Sequence, residues 1–207
     1  MPTLRADARR NHQQVLEAAR EVVLAHGPNV PLDVIAKEAG VGIGTLYRRF
    51  TDREGLLRAV VLDALTRARE VAERALDEHE QGYDALAAYL RGALELRVSA
   101  LIPMVLDRLD PADAELTAAR EAGAAVLETI IDTAHQDGTL PHDIDFGDIG
   151  PMLVRLSRPL PGTLPTEVDL RLARRQLDLL LLGIQHASDD TLGAPGLTRK
   201  ELRVSDA

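Results

Sequence analysis

The chain has 207 residues, 45% hydrophobic and 28% charged, with a formal net charge of −9 and no cysteine. That composition suits a soluble globular protein of one domain, or two small ones sharing a core, and excludes disulfides, thiolate catalysis and every cysteine-based zinc site. Apolar runs such as Leu179–Ile184 fall far short of the roughly 20 residues that cross a bilayer. The opening MPTLRADARR holds no apolar segment of the signal-peptide kind. A cytoplasmic protein without a membrane partner is the expectation.

Leu, Ala, Arg and Glu dominate and alternating β-branched runs are missing, which predicts an all-α fold. Charge is unevenly placed. Residues 1–58 hold nine Lys/Arg against seven Asp/Glu, and the remainder holds 15 against 26. A slightly basic head thus precedes an acidic body, and the local field can still favour an anionic partner for the head.

The 9–26 stretch predicts an amphipathic helix with Val15, Ala18, Ala19, Val22 and Val23 on one stripe, ended by Gly27-Pro28. A short helix follows over about 32–39, stopped by Gly40, and another runs to about Phe50. Thr51-Asp-Arg-Glu54 reads as a capping box that launches a long helix over about 52–79. Further helices are expected at about 83–100, 102–109, 112–136, 146–158 and 167–187, punctuated by Gly138, Pro141 and the RPLPGTLP segment at 158–165. The last of them is apolar nearly all round in its second half, which predicts burial on several sides and suits a subunit interface. Thr198-x-x-Glu201 could cap one more turn.

Two short helices joined by a tight glycine turn are the plan of a DNA-binding helix-turn-helix. The first helix needs a small residue at the crossing, and Ala36 is there. The turn needs tolerance of positive φ, supplied by Gly40. The second helix needs an apolar anchor, and Leu46 is in place, with Phe50 one turn on along the same face. Gly44, Thr45, Tyr47 and Arg48 must then face outward. Thr45 and Tyr47 offer hydroxyls to phosphate, Arg48 and Arg49 can bind phosphate or pair with guanine, and Arg53 is placed for the flanking backbone.

The stretch PLDVIAKEAGVGIGTLYRRFTDREGLLRAV (31–60) resembles the N-terminal signature of the TetR/AcrR family of transcriptional regulators. The motif resemblance covers about residues 9–60; beyond them only the helix plan agrees. It implies DNA contacts from Ile43, Gly44, Thr45, Tyr47, Arg48, Arg49 and Arg53. Many members carry Ser-Lys where this chain has Gly42-Ile43, so Ile43 either touches a thymine methyl or packs inward. The resemblance also implies a homodimer on the last two helices, with Phe146, Ile149, Met152, Leu153 and Leu156 meeting Leu177, Leu180, Leu181 and Ile184. Each head would enter a major groove of a near-palindromic double-stranded operator, about one helical turn apart.

The expected division is 1–50 as helix-turn-helix domain, 51–190 as ligand-binding and dimerisation domain, and 191–207 as tail. In the body, Arg97 falls on the apolar stripe of the 83–101 helix, and a buried arginine needs a partner. One reading pairs it internally with Asp107 or Glu128. The other has it receive an acidic small-molecule effector, with Tyr89, Met104, Arg108, Val126, Thr129, Ile130 and Thr133 as neighbours chosen by helix face.

No cofactor motif is present: GxGxxG fails at Thr45 and lacks a preceding strand. Of six histidines only His135 and His142 lie close, beside Asp137, Asp143 and Asp145, where a solvated acidic loop is favoured over a metal site. No catalytic Ser/His/Asp spacing stands out, so no enzyme is expected. The favoured function is a sequence-specific regulator, a repressor released by its effector. The rivals are an all-helical enzyme or interaction module, and a non-specific architectural DNA binder.

Overall fold

The computed structural model describes residues 4–160, 164–188 and 192–202, with side chains from Arg10 onward. Among the described residues there are ten α-helices and no strand: α1 Leu4–His26, α2 Leu32–Glu38, α3 Ile43–Arg49, α4 Arg53–Glu78, α5 Gly82–Leu96, α6 Val98–Val105, α7 Ala114–Gln136, α8 Phe146–Ser157, α9 Thr166–Gln185 and α10 Arg199–Leu202. A single 3-10 turn, Leu106–Arg108, follows α6. The all-α expectation holds.

The chain divides into two compact units, Met1–Leu65 with Leu101–Ala119, and Thr66–Ala100 with Arg120–Ala207. In the first, the stripe of α1 (Val15, Ala19, Val22, Val23) is buried with Ile35 and Ala36 of α2, Leu46 of α3 and Leu56, Leu57, Val60 and Val61 of α4. The cap of α4 falls one residue later than Thr51. Asp52 Oδ1 accepts from the Gly55 N–H at 2.7 Å, while Glu54 lies 3.9 Å from Arg108. Two adjacent residues could each satisfy a free amide of the first turn, and the carboxylate is the one used.

Within this unit Asp113 caps the start of α7, accepting from the amides of Glu115 and Leu116 at 3.0 Å, and Arg58 of α4 donates to both its oxygens. The Arg58 hydrogen bond, then the amide bond from Leu116, hold the Asp113 carboxyl down to about 2. A depressed acid stabilises the fold above its unfolded value and loses that contribution as pH falls through its folded value. Stability is therefore expected to drop between about pH 4 and pH 2. Melting the protein across that range checks this: Arg58→Met should flatten the drop, and an unchanged slope would rule the pair out as its cause.

The second unit buries an apolar cluster from the end of α4 (Ala72, Ala75), α5 (Leu86, Leu90, Leu94), α7 (Leu127, Ile130, Ile131), α8 (Ile149, Leu153) and α9 (Leu177, Leu181, Ile184). At the entry of α5, Gly82 sits so near α7 that a Cβ there would lie 2.2 Å from the Ala134 nitrogen. The free amides of that first turn are taken by the end of α7: Gly82 N–H donates to Asp137 at 2.6 Å and Tyr83 N–H to Thr139 at 3.0 Å. Further along, α5 and α9 run antiparallel, with Tyr83 Oη donating to the Leu181 carbonyl and Arg174 donating twice to Glu95.

Two expectations for this unit are corrected. The helix expected over 83–100 ends at Leu96, because Arg97 takes a left-handed backbone at φ 53°. Of the expected dimer seam, Ile149, Leu153, Leu177, Leu181 and Ile184 lie in this chain's own core. The apolar residues that α9 leaves outward are Leu172, Leu179 and Leu182, the last two 54% and 50% exposed.

The segment after α9 is pinned to the same unit. Gly147 N–H donates to the Leu197 carbonyl and Gly196 N–H to that of Asp143, both at 2.7 Å. Thr198 and Glu201 form the expected reciprocal cap on α10. Arg199 bridges Glu121 and Glu128 of α7 and lies over the Phe146 ring.

Candidate nucleic-acid interface

The turn between α2 and α3 is built as its steric needs demand. Gly40 adopts φ 65°, and the Val41 N–H donates to the Ala36 carbonyl at 2.9 Å, closing the end of α2. A side chain at Gly40 would be strained by that backbone. Gly42 starts α3 without a side-chain cap, as a residue with no side-chain oxygen must. Leu46 is 0% exposed and Phe50 is buried, its ring stacked on His12 at 5.7 Å between centroids. The histidine contact had no signal in spacing, because it joins residues 38 apart in the sequence.

With that face fixed inward, α3 turns the rest outward. Ile43 is 40% exposed, so it does not pack inward, and Tyr47 is 55% exposed. Gly44 has nothing within 4 Å of its missing Cβ. Arg48 is exposed and donates to Thr45 Oγ1 at 3.0 Å, which holds the guanidinium alongside the hydroxyl. Arg49 is half-buried and has a partner of its own. Arg53 is half-buried and points back: its Nη1 donates to the carbonyls of Pro28 and Val30, bracing the loop between α1 and α2. Six of the seven expected contact residues therefore lie on α3 itself, and the seventh is partly committed elsewhere.

This arrangement places two cations, two hydroxyls and an apolar tip on one seven-residue helix whose other side is locked into a core. Phosphate oxygens and base edges are the chemistry such a surface can meet.

The family model described as "Bacterial regulatory proteins, tetR family" matches residues 15–60. A TetR transcriptional regulator of Streptomyces coelicolor is 29% identical, with a TM-score of 0.64 over 84% of this chain and 97% of that one. The chain matches the TetR family over residues 15–60 and is similar to solved members of that family. An HTH-type transcriptional regulator of Staphylococcus aureus (strain USA300) is 30% identical over 46% of this chain. This chain spans about half the length (52%) of that curated relative. The TetR-like regulator LfrR of Mycobacterium smegmatis, solved in complex with proflavine, shares the fold at a TM-score of 0.59 and 22% identity, covering 82% of this chain and 95% of that one. TetR proteins are regulators, in keeping with the reading of this chain as no enzyme.

The eight residues expected around an effector are divided between the two units of this chain. Met104 and Arg108 fall in the first, where Arg108 Nη2 donates to Asn29 Oδ1. The other six fall in the second. Ile130 is wholly inside the core, and the Thr129 and Thr133 hydroxyls donate to carbonyls of their own helix, those of Ala125 and Thr129. Val126 and Thr129 line an open groove of about 440 Å³ together with Glu73, Leu76, Asp77 and Ala125. The α4 side of that groove was missed, although 73, 76 and 77 share one helix face.

Tyr89 is half-buried, and its phenol is pushed up to about 12 by desolvation alone. Arg97 is buried, and its Nε has no hydrogen-bond partner. The internal pairing with Glu128 is corrected, since that carboxylate is held by Arg199. His135 and His142 lie ring to ring at 4.9 Å, but His135 Nε2 is engaged with the Ile144 carbonyl at 3.0 Å. Among the described residues no cluster of three such side chains could hold a metal ion, and no helix is long and apolar enough to cross a membrane.

Proposed function

We propose that this chain is a sequence-specific transcriptional regulator of the TetR family that binds a double-stranded operator as a homodimer and is released by a small-molecule effector. The observation that carries the reading is the outward face of α3, which presents Ile43, Thr45, Tyr47 and Arg48 while Leu46 on its other side is fully buried. In this reading residues 1–50 are the head, 51–190 the body and 191–207 a tail. Ile43, Gly44, Thr45, Tyr47, Arg48 and Arg49 meet the major groove. Arg53 braces the neighbouring loop through Nη1 and offers the rest of its guanidinium to a flanking phosphate.

Dimerisation through α8 and α9 is supported by Leu172, Leu179 and Leu182, which stand partly exposed along one side of α9. An effector in the body is supported by the half-buried Tyr89 of α5 and the buried Arg97 that caps it, and by analogy with LfrR, which was solved with proflavine. A ligand shifts DNA affinity only by its differential affinity for the two body conformations. Repression in the cytoplasm is the mode this assembly suits.

The test is fluorescence anisotropy on DNA flanking the protein's own gene, at about physiological salt with excess random competitor. Wild type should bind saturably, and Tyr47→Ala/Arg48→Ala should lose roughly tenfold or more, since a good base contact is worth about 1–3 kcal/mol. Equal binding by the double variant would sink the assignment. A steep salt dependence without sequence preference would favour an architectural role instead.

A further inference from the structure

Arg97 and Ser157 are the only buried polar side chains among the described residues, and each has a buried polar atom without a hydrogen-bond partner, Nε and Oγ respectively. Both fall in the second unit. Arg97 caps the end of α5 two residues after Glu95, which pairs with Arg174 of α9, and Ser157 is the last residue of α8. A guanidinium cannot escape burial by giving up its proton, so an enclosed arginine without a carboxylate is a standing electrostatic cost. Arg97 adds a second cost in its left-handed backbone at φ 53°, the only positive φ among the described non-glycine residues. A buried guanidinium without a carboxylate and a left-handed backbone coincide on one residue, which points to a functional position.

We infer that Arg97 is the counter-ion for a carboxylate on the effector, and that the effector is a mainly apolar molecule carrying that one negative charge. This rests on the effector-responsive reading above. The apolar character follows from the interior around Arg97, where every other buried side chain among the described residues except Ser157 is apolar. The single charge follows from the electrostatics of the body. Arg97 is the only buried cation among the described residues, and residues 59–207 carry 26 Asp/Glu against 15 Lys/Arg. A polyanion would meet that surplus as repulsion, whereas one carboxylate is matched by one guanidinium and can take a further hydrogen bond from a hydroxyl such as that of Ser157.

The experiment uses the full chain and three proteins: wild type, Arg97→Met and Arg97→Lys. Thermal melting by circular dichroism is recorded alone and with hexanoate, octanoate, decanoate and dodecanoate, each matched by the alkanol of equal length. The inference expects Arg97→Met to melt higher than wild type when no ligand is added, because an uncompensated charge has been removed. It expects at least one alkanoate to stabilise wild type, its matched alkanol to do so less, and the alkanoate effect to weaken roughly tenfold in apparent affinity in Arg97→Met. Arg97→Lys should retain part of it.

A lower melting point for ligand-free Arg97→Met would mean the guanidinium is satisfied within the fold, and would overturn the inference. So would equal protection by acids and alcohols, or protection by none of the acids. The effector-responsive reading fails separately: alkanoate binding through Arg97 that left operator affinity unchanged would keep the carboxylate site and discard its link to DNA. Release by an uncharged ligand that Arg97→Met left intact would do the reverse.

Discussion

Gly82→Ala should lower the melting temperature of the full chain by about 10 °C. The added methyl would lie 2.2 Å from the Ala134 nitrogen and 2.3 Å from its Cα. These are backbone atoms of α7, so no side chain can swing aside to make room. The start of α5 must move away instead, and that parts the Gly82 N–H from Asp137 and the Tyr83 N–H from Thr139. Overpacking costs about 1–3 kcal/mol, and each lost hydrogen bond adds about 1 kcal/mol. For a chain of this length each kcal/mol moves the midpoint by about 2–4 °C.

Gly123→Ala is the internal control. That glycine lies inside α7 with nothing within 4 Å of its missing Cβ, so alanine should raise stability by roughly 0.5–1 kcal/mol. A Gly82→Ala melting point within about 2 °C of wild type would show that the two helices are not held as closely as described.

Leu46→Ala should abolish operator binding without touching a single outward group. Leu46 is 0% exposed and is the anchor that keeps α3 against the core. Truncating a fully buried leucine costs about 2–5 kcal/mol, much of it from the cavity left behind. Hydrogen exchange should then show the amides of α3 losing protection, while those of α5 and α9 keep theirs. Tyr47→Ala gives the complementary pattern. Its side chain is largely exposed, so stability should stay within about 0.5 kcal/mol while binding falls. If both variants weakened DNA binding and neither changed exchange in α3, Leu46 would be a contact residue and the inward face would be misassigned.

The sequence made the head legible because steric demands there fall on single residues. Ala36, Gly40 and Leu46 each satisfy one requirement that few other residues meet, and once they are placed the outward set on α3 is determined. The body offered weaker signals. The break at Arg97 carries neither glycine nor proline, so nothing in the local pattern distinguishes it from a continuing helix. The four consecutive leucines Leu179 to Leu182 put apolar groups all round α9, and periodicity cannot say which of them face their own chain. The structure sends Leu181 inward and leaves Leu179 and Leu182 outside. Glu128 was an available partner for Arg97 by helix face alone, and only the folded chain shows it claimed by Arg199, 71 residues further on.

That last separation bears on the order in which the molecule is assembled. α1, α2 and α3 pack on one another within the first 50 residues, so their contacts close short loops and cost little chain entropy. The second unit is closed by pairs far apart along the chain: Tyr83 with Leu181 at 98 residues, and Arg199 with Glu121 at 78. Such distant pairings slow folding. The α1–α3 trio can thus gather while later segments are still being synthesised, whereas the layer around α7 and α8 stays incomplete until the residues near 199 arrive. A chain interrupted shortly after α9 would hold a formed α1–α3 trio beside a second unit that had lost its final clasp.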